Sequence, residues 1–294
     1  MSDGSKKGKV ILDVDGVLNS FSNHNFYAQF IWKSLRGLSK VHGRMKLLKE
    51  LPKLKKKGGA NALFAFAKEF CGDDKKFNEF KHNLVNSLNF NLISHDPSMK
   101  KMMERLGEYG DICIRSDGLE EIGAAIWKRV IDDTSSAKIK LDMLNDKTDK
   151  KYKELKFGDK NIIISGIADN GFRLKTDTQS WVDFSDRHGI DIGKSVLLDD
   201  SRNNTNTANK LGMTTVHISV IDSFLQKSPL GTIYGHSLSD ILGERMSNTL
   251  KSYQISYGNK VDVKTLFRTI LSKKSKSVGE NKGNTGALKV SREL

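Results

Sequence analysis

The sequence predicts an α/β fold in which a parallel sheet carries helices on both faces and a helical segment is inserted after the first strand. Short apolar runs recur along the chain, and helix-length amphipathic segments separate most of them, which is typical of a doubly wound sheet. Two of these runs end in paired carboxylates, as strands do that bring acids to the carboxyl edge of such a sheet. The five predicted strands are 10–14, 111–115, 161–165, 195–199 and 214–218.

The composition is that of a globular protein. The 294 residues, of which 37% are hydrophobic, suffice for one large core or for a core with a smaller appended domain. No window reaches the roughly 18 apolar residues of a membrane span, and the first residues lack a signal-peptide pattern. We therefore expect a soluble protein. Cys71 and Cys113 are expected to be free thiols, and the histidines show no zinc-ligand spacing.

The first predicted strand runs into Asp13 and Asp15, and residues 19–95 follow as the helical segment. Aromatic and aliphatic side chains recur there at helical spacing. We expect these stripes to be buried core rather than a cofactor site, and we expect the segment to pack as an independent helical module. The stripes are Phe26, Phe30 and Ile31; Leu63, Phe66, Ala67 and Phe70; and Phe77, Phe80 and Leu84.

Two further segments depart from the sheet pattern. Residues 132–160 are rich in Asp and Lys and are expected to form an exposed helical or loop insertion. Beyond the fifth strand, residues 221–272 are predicted as a helical extension and 273–294 as a disordered tail of mainly Lys, Ser, Gly and Asn. The apolar stripe of the extension comprises Val263, Leu266, Phe267, Ile270 and Leu271.

The formal net charge of +14 is concentrated in two basic segments. Between residues 33 and 57 there are ten Lys or Arg residues against Glu50 alone. A solvated helix face would account for this pattern, and so would attraction to an anionic partner. Nucleic acid is the weaker partner, because few aromatic residues are interleaved with the lysines. The other two candidates are an acidic substrate and an anionic membrane surface, the latter contacted through 33–57 and 260–276.

The paired carboxylates indicate the chemistry. Four acids at one sheet edge would repel one another too strongly to stay ionised without a cation, so a divalent-metal site is predicted. A phosphate ester needs its charge neutralised and its leaving oxygen protonated. Asp13, at the end of its strand, can attack phosphorus to give an acyl phosphate. Asp15 points the same way along the strand and can move the proton.

These residues resemble the haloacid dehalogenase-like (HAD) superfamily of phosphatases. The first motif of that family, an apolar strand followed by D-x-D-G-V, is present at 13–17, and the second, an apolar strand ending in Ser or Thr, at 112–116. The third motif, usually K-P-D, reads K-T-D at 175–177. The fourth, D-D-S-x-x-N, stands at 199–204. The motifs follow the order of the family and cover the predicted sheet, not the helical segment.

The resemblance implies Mg²⁺ as the cofactor and a role for each matched residue. Asp13 is then the nucleophile and a Mg²⁺ ligand, and Asp15 is the general acid/base and binds the metal through its backbone carbonyl. Asp200 is the first choice for the downstream ligand, with Asp199 binding directly or through water, and Asn204 orients metal-bound waters. The implied phosphate-binding residues are Ser116, Asp117 and Lys175, of which Lys175 also holds the nucleophile.

The resemblance also implies a reaction class and a domain organisation. Family members that break carbon–halogen bonds lack the acid at Asp15, and ion-pumping members carry Thr there, so phosphoryl transfer to water is favoured. The fold is then a HAD-like Rossmannoid core formed by 1–18 and 96–220. The insert at 19–95 takes the position of a C1-type helical cap that closes over the site, with Gly58-Gly59 as an internal bend.

A cap of this size implies a small phosphometabolite, such as a sugar phosphate or nucleotide, as the substrate; a phosphotyrosyl protein would also reach the pocket. The basic surface and polar tail resemble phosphatases that intracellular bacteria inject into host cells. We therefore expect the protein in the cytoplasm or, if injected, in the host cytosol at the membrane periphery. The alternative function is a basic module that keeps the HAD fold and docks on anionic lipid.

Overall fold

The computed structural model describes residues 7–19, 23–145, 155–218 and 232–235. Its strands are β1 (Val10–Leu12), β2 (Ile112–Arg115), β3 (Leu155–Phe157), β4 (Lys160–Ser165), β5 (Val196–Asp199), β6 (Thr214–Ile218) and β7 (Thr232–Gly235). They form one sheet in the order β3-β4-β2-β1-β5-β6-β7. All neighbouring strands are parallel except β3 and β4. The predicted α/β class is confirmed.

The central strand β1 defines the edge at which the acids meet. Leu12 pairs with Ile114 of β2 on one side and with Leu198 of β5 on the other. Because the three strands are parallel, the residues at their carboxyl ends emerge at one edge of the sheet. Those residues are Asp13 after β1, Ser116 after β2, and Asp199 and Asp200 at the end of β5.

The described residues also form nine α-helices. Asp side chains cap three of them by accepting hydrogen bonds from backbone N–H groups: Asp73 before α4, Asp96 before α5 and Asp177 before α8. The helices are α1 (His24–His42), α2 (Arg44–Lys57), α3 (Leu63–Cys71), α4 (Asp74–Ser87), α5 (Pro97–Tyr109), α6 (Glu120–Val130), α7 (Ser136–Asn145), α8 (Thr178–His188) and α9 (Arg202–Lys210).

The two faces of the sheet bury different sets of side chains, because neighbouring residues on a strand point to opposite sides. Val10 and Leu12 belong to the larger hydrophobic cluster, which includes residues of α5 and α6. Ile11 belongs to the smaller cluster, which is formed with residues of α8 and α9 such as Trp181 and Ala208. The sheet is therefore covered on both faces, as a parallel sheet requires.

The segment between β1 and β2 is helical, as predicted, and contains α1 to α4. Gly58 and Gly59, with φ of 127° and 64°, bend the chain after α2, as expected for an internal bend. The predicted stripes are largely buried, but Ile31 is 43% exposed, since it lies at the margin of the buried face of α1. The segment does not pack independently. Its aromatic residues share one hydrophobic cluster with Leu12 of β1 and with Val14 in the turn that follows.

Two strands lie where the sequence predicted other structure. Part of the predicted exposed insertion at 132–160 is β3, which forms a hairpin with β4 because Gly158, with φ of 58°, permits the tight turn. Within the predicted helical extension, Thr232–Gly235 is β7, a parallel neighbour of β6 rich in β-branched and aromatic residues. The remainder of the extension and the tail at 273–294 lie outside the described residues.

Within residues 7–19, 23–145, 155–218 and 232–235, no helix combines the length and the apolar character that a membrane crossing requires.

Candidate metal and phosphate site

The side chain of Asp13 lies buried at the carboxyl end of β1. Its backbone N–H donates to the carbonyl of Leu198 at 2.9 Å, which extends the parallel pairing by one residue. Asp13 Oδ1 accepts hydrogen bonds from the N–H of Val14 at 2.7 Å and from Lys175 Nζ at 2.8 Å. The carboxylate is thus held by the backbone and by a buried cation.

Asp199 and Asp200 join Asp13 at this edge. One carboxylate oxygen from each of the three residues lies within 4.8 Å of the other two. A side chain at Gly16 would come within 2.6 Å of Asp200 Cγ, and the φ of Gly16 is 74°, so only glycine fits there. The close approach of this turn keeps Asp200 against the other acids. A convergent set of carboxylate oxygens suits a hard divalent cation such as Mg²⁺.

Asp199 is held on several sides and is fully buried. Asp199 Oδ2 accepts from Lys175 Nζ at 2.6 Å, and Oδ1 accepts from the N–H of Ser201 at 2.8 Å. Asn204 Nδ2 lies 3.1 Å from Oδ1 and 3.2 Å from Oδ2. Asp200 makes fewer such contacts, so it has the freer oxygens, which favours Asp200 over Asp199 as a direct metal ligand. Asn204 contacts Asp199 here.

Lys175 links the two acidic strand ends. Its side chain is 1% exposed, and its Nζ bridges Asp13 and Asp199. The backbone around it is also fixed, because the N–H of Lys175 donates to Asp117 Oδ1 at 2.8 Å and Trp181 Nε1 donates to the carbonyl of Lys175 at 2.7 Å. The loop carrying the third motif therefore presents its lysine rigidly to the acids.

Ser116 and Asp117 follow β2 at the same edge. Ser116 is buried, and its Oγ accepts from the N–H of Gly118 at 2.8 Å. The N–H of Ser116 donates to the carbonyl of Ser165. Asp117 orients the backbone of Lys175. The structure thus brings every predicted site residue to one edge of the sheet, although Asp15 lies outside the group of three converging acids.

Asp15 has a different environment, which the sequence did not predict. Its carboxylate is hydrogen-bonded to Tyr27 of α1 and to Asn19. Burial raises the pKa of Asp15 above its ordinary value, although these hydrogen bonds oppose the shift. The carbonyl oxygen of Asn19, 3.0 Å from the Tyr27 hydroxyl, is a second acceptor for the same proton. Helix α1, through Tyr27, thus contacts the carboxylate of Asp15 at the carboxyl edge of the sheet. Tyr27 was missed because it belongs to no motif and lies beside Phe26 in a segment whose aromatic residues were predicted as core.

The carboxylates at this edge are buried and repel one another. Burial and the neighbouring Asp199 raise the pKa of Asp13 well above its ordinary value, despite Lys175. Burial and the same neighbour raise the pKa of Asp200 to about 7. Burial lowers the pKa of Lys175, but Asp13 and Asp199 raise it more, so the lysine stays charged. One lysine does not neutralise the cluster, and a divalent cation would relieve the repulsion.

Arg115, the last residue of β2, is a second cation that the sequence analysis missed. Its guanidinium is 1% exposed, lies 3.6 Å from the centre of the Trp181 ring and donates through Nη2 to Ser180 Oγ at 2.6 Å. Burial lowers the pKa of Arg115 to about 9, although Asp117 and Asp199 favour the charged form. An arginine in the otherwise apolar Ile-Cys-Ile-Arg run was the available signal.

A small cavity of about 30 Å³ lies between Asp15 and the helical segment. Ser116 and Tyr27 contribute to its walls, and the remaining walls are mostly apolar. The apolar lining includes Phe26 and Phe30 of α1, Phe64 of α3, and Ile122 and Ile126 of α6. The cavity is about the size of one water molecule, so a larger ligand beside Asp15 requires the helices to move apart.

Glu120 is the first residue of α6, and its buried carboxylate is expected to destabilise the protein at neutral pH. It is 8% exposed, and burial together with Asp169 raises its pKa to about 7. Because the ordinary value is 4.5, the stability associated with the protonated form is fully present below about pH 4.5 and is lost as the pH rises through 7.

We therefore expect Glu120→Gln to raise the free energy of unfolding at pH 8 by about 1–3 kcal/mol, with the gain vanishing near pH 4. Gln retains an oxygen to accept from the N–H of Asp169, as Glu120 does at 3.1 Å. Urea unfolding at both pH values measures the difference. Glu104→Gln, at an exposed position of α5, is the control. Equal stability of Glu120→Gln and wild type at pH 8 would contradict this reading.

Comparisons with known proteins gave matches among solved structures alone. No family model matches the chain, and no curated protein matches it. A HAD phosphatase from Thermococcus onnurineus aligns at 17% identity over 80% of this chain and 96% of its own, with a TM-score of 0.46. The UTR4 protein of Saccharomyces cerevisiae aligns at 16% identity over 79% and 98%, with a TM-score of 0.45.

A 2-haloacid dehalogenase from Pseudomonas syringae also matches, at 14% identity over 84% of this chain and 99% of its own, with a TM-score of 0.45. The matched structures thus include both a phosphatase and a dehalogenase. What is established is an α/β sheet whose carboxyl edge gathers three converging aspartates and a buried lysine.

Proposed function

We propose that the chain is a Mg²⁺-dependent phosphatase of the HAD type, which hydrolyses phosphate monoesters through a phosphoryl group carried on Asp13. The observation that supports this most strongly is the environment of Asp13. Its carboxylate lies against Lys175 at 2.8 Å and within one group of converging oxygens with Asp199 and Asp200. A carboxylate so placed has both a cation for the phosphate and ligands for a metal beside it.

The proposed reaction consists of two successive displacements at phosphorus. An Asp13 oxygen attacks phosphorus, and the bond from phosphorus to the leaving oxygen breaks as Asp15 gives that oxygen a proton. Asp15 then takes a proton from water, whose oxygen attacks phosphorus and releases the Asp13 carboxylate and inorganic phosphate. The raised pKa of Asp15 supports its role as the proton donor in the first step.

Lys175 and Ser116 bind the phosphate oxygens in this proposal. Lys175 Nζ already contacts Asp13, so an incoming phosphate would share that cation with the nucleophile. Asp13 and Asp200, with Asp199 behind them, would hold Mg²⁺. The metal supplies charge neutralisation, which lets an anionic carboxylate approach an anionic phosphate.

The cavity beside Asp15 bears on the leaving group. Its walls are aromatic and aliphatic, with Tyr27 and Ser116 as polar exceptions. Because the cavity holds only about one water molecule, a leaving group would enter it as the helices move apart, and the side chains it then meets would favour a flat apolar group over a polyhydroxyl one. Between the two predicted substrate classes, this supports an aryl phosphate such as phosphotyrosine over a sugar phosphate. Initial rates with phosphotyrosine, a nucleoside monophosphate and a hexose phosphate would rank them. Faster turnover of the hexose phosphate would contradict the preference.

Removal of the metal is expected to abolish turnover, and Asp200→Asn is expected to weaken Mg²⁺ binding. After treatment with EDTA, activity on an aryl phosphate should return on addition of Mg²⁺. Asp200→Asn removes one anionic ligand, so the Mg²⁺ concentration for half-maximal activity should rise by on the order of tenfold or more. Asp183→Asn, in the exposed pair with Arg173, should leave it unchanged. Full activity in EDTA would refute the metal dependence.

A further inference from the structure

A second candidate site lies in the helical segment, in a groove between α1 and α4. The groove has a volume of about 350 Å³, within the range of small-molecule sites. Lys33, Arg36 and Lys40 line it from α1, and Lys76 and Glu79 line it from α4. We call this feature the basic groove. Phe80 of α4 forms part of its apolar floor.

The three cations that α1 contributes to the basic groove lack acidic partners. Among the residues that the structure describes, no carboxylate lies within ion-pair distance of Lys33, Arg36 or Lys40; Lys76 pairs with Asp73 at 3.1 Å. Lys33 also lies near Lys140 of α7, and burial together with Lys33 lowers the pKa of Lys140. Four cations thus line the groove against the single carboxylate of Glu79, and this excess of positive charge favours the binding of an anion.

The spacing of these cations indicates more than one negative charge on the ligand. Residues 33, 36 and 40 follow one side of α1 at helical intervals, so they span about 10 Å of the helix axis. A single carboxylate or phosphate would contact one or two of them. Several phosphate groups on one small molecule would match the row, and the guanidinium of Arg36 can bind phosphate oxygens in pairs.

The apolar floor has a structural cause. Gly37 lets α1 approach α4 closely, because a Cβ there would lie 3.1 Å from the Phe80 ring. Phe80, 2% exposed, is held in place beneath the row of cations. A ligand in the groove would thus meet charge along one wall and an apolar surface beneath it. This suits a phosphorylated ring or chain better than a fully hydrated ion.

The basic groove is separate from the Asp13 site. Tyr27, which contacts Asp15, lies in the first turns of α1, and Arg36 lies on the order of 13 Å further along the helix axis. A small ligand does not span that distance while also occupying the groove. The groove is therefore not the substrate pocket of the proposed phosphatase.

We propose that the basic groove binds a multiply phosphorylated group, either free in solution or as the head group of a phosphorylated lipid. Titration calorimetry with inositol hexakisphosphate, in EDTA, tests the free form. Sedimentation with phosphatidylcholine vesicles containing phosphatidylinositol bisphosphate tests the lipid form. Vesicles in which phosphatidylserine supplies the same charge separate phosphate recognition from general attraction to an anionic surface.

The test variant is Lys33→Gln/Arg36→Gln/Lys40→Gln, and the matched control is Lys49→Gln/Lys55→Gln/Lys56→Gln. Both remove three positive charges, but the control residues lie exposed on α2, outside the groove. We expect the test variant to bind the phosphorylated probes on the order of tenfold to a hundredfold more weakly than wild type, and the control to bind like wild type. Circular dichroism and thermal unfolding check that both variants fold.

The outcomes distinguish a free ligand from a lipid head group, and a specific site from general attraction to basic charge. Binding of the soluble probe but not of the vesicles assigns a free ligand, and binding of both assigns the lipid head group as well. Equal weakening of both variants, or equal binding to phosphatidylserine vesicles, would overturn the groove as a specific site. Equal weakening of both variants would instead indicate that the probes bind the basic surface in general, including α2. Hydrolysis of an aryl phosphate should be unchanged in both variants, so this test does not depend on the proposed phosphatase activity.

Discussion

Asp13→Asn is expected to lower phosphate release from an aryl phosphate by on the order of a thousandfold or more. The amide cannot form an acyl phosphate, and it removes an anionic oxygen from the group shared with Asp199 and Asp200. The measurement is the steady-state rate of release in saturating Mg²⁺. Asp159→Asn, in the exposed turn before β4, is the control and should keep the wild-type rate.

The same substitution should leave the fold intact. Burial disfavours the charged form of Asp13, and a neutral amide of the same shape fits the position without that cost. Lys175 would still pair with Asp199 at 2.6 Å. The thermal unfolding midpoint of Asp13→Asn should therefore lie within a few degrees of wild type. Undiminished turnover in a folded Asp13→Asn protein would show that another group attacks phosphorus.

Lys175→Met is expected to remove activity and also to destabilise the protein, by about 3–5 kcal/mol at pH 8. Lys175 is the buried partner of both Asp13 and Asp199, so its loss leaves two carboxylates without their shared cation. The loss of stability should be smaller at pH 5, because the carboxylates, freed from the lysine, can then bind protons. Urea unfolding at the two pH values measures both effects.

The control for this variant is Lys194→Met. Lys194 pairs with Asp191 at 3.1 Å, but its side chain is 60% exposed, so the pair contributes within about 1 kcal/mol. Activity and stability of Lys194→Met should match wild type. If Lys175→Met unfolded at the same urea concentration as wild type, the lysine would not be the structural link between the two strand ends.

Much of the sheet and the acidic part of the site could be predicted, since both depend on local pattern and on one topological rule. Apolar runs marked β1 and β5, and parallel strands end at a common edge. The convergence of Asp13, Asp199 and Asp200 follows from these two facts. Lys175 lies in a loop, and no periodic pattern marks it. The family resemblance alone singled it out.

The features that sequence reasoning missed depend on contacts between distant segments. Tyr27 lies next to Phe26 in a segment whose aromatic residues were predicted as core, and its contact with Asp15 arises because α1 packs against the end of β1. The packing of Arg115 on Trp181 depends on where α8 crosses the sheet. Thr232–Gly235 became a strand because β6 offered an open edge. Hydrophobic periodicity does not encode such pairings.

The formation of a phosphoryl group on Asp13 is tested most directly in the Asp15→Asn variant. With a good leaving group such as nitrophenolate, the first displacement needs no proton from Asp15, whereas attack by water loses its base. The phosphoryl enzyme should then accumulate in Mg²⁺, with one equivalent of nitrophenol released in a burst. Mass spectrometry after acid quench should find one phosphoryl group on the peptide that contains Asp13. A burst without covalent phosphate, or a phosphoryl group on any other residue, would contradict the account.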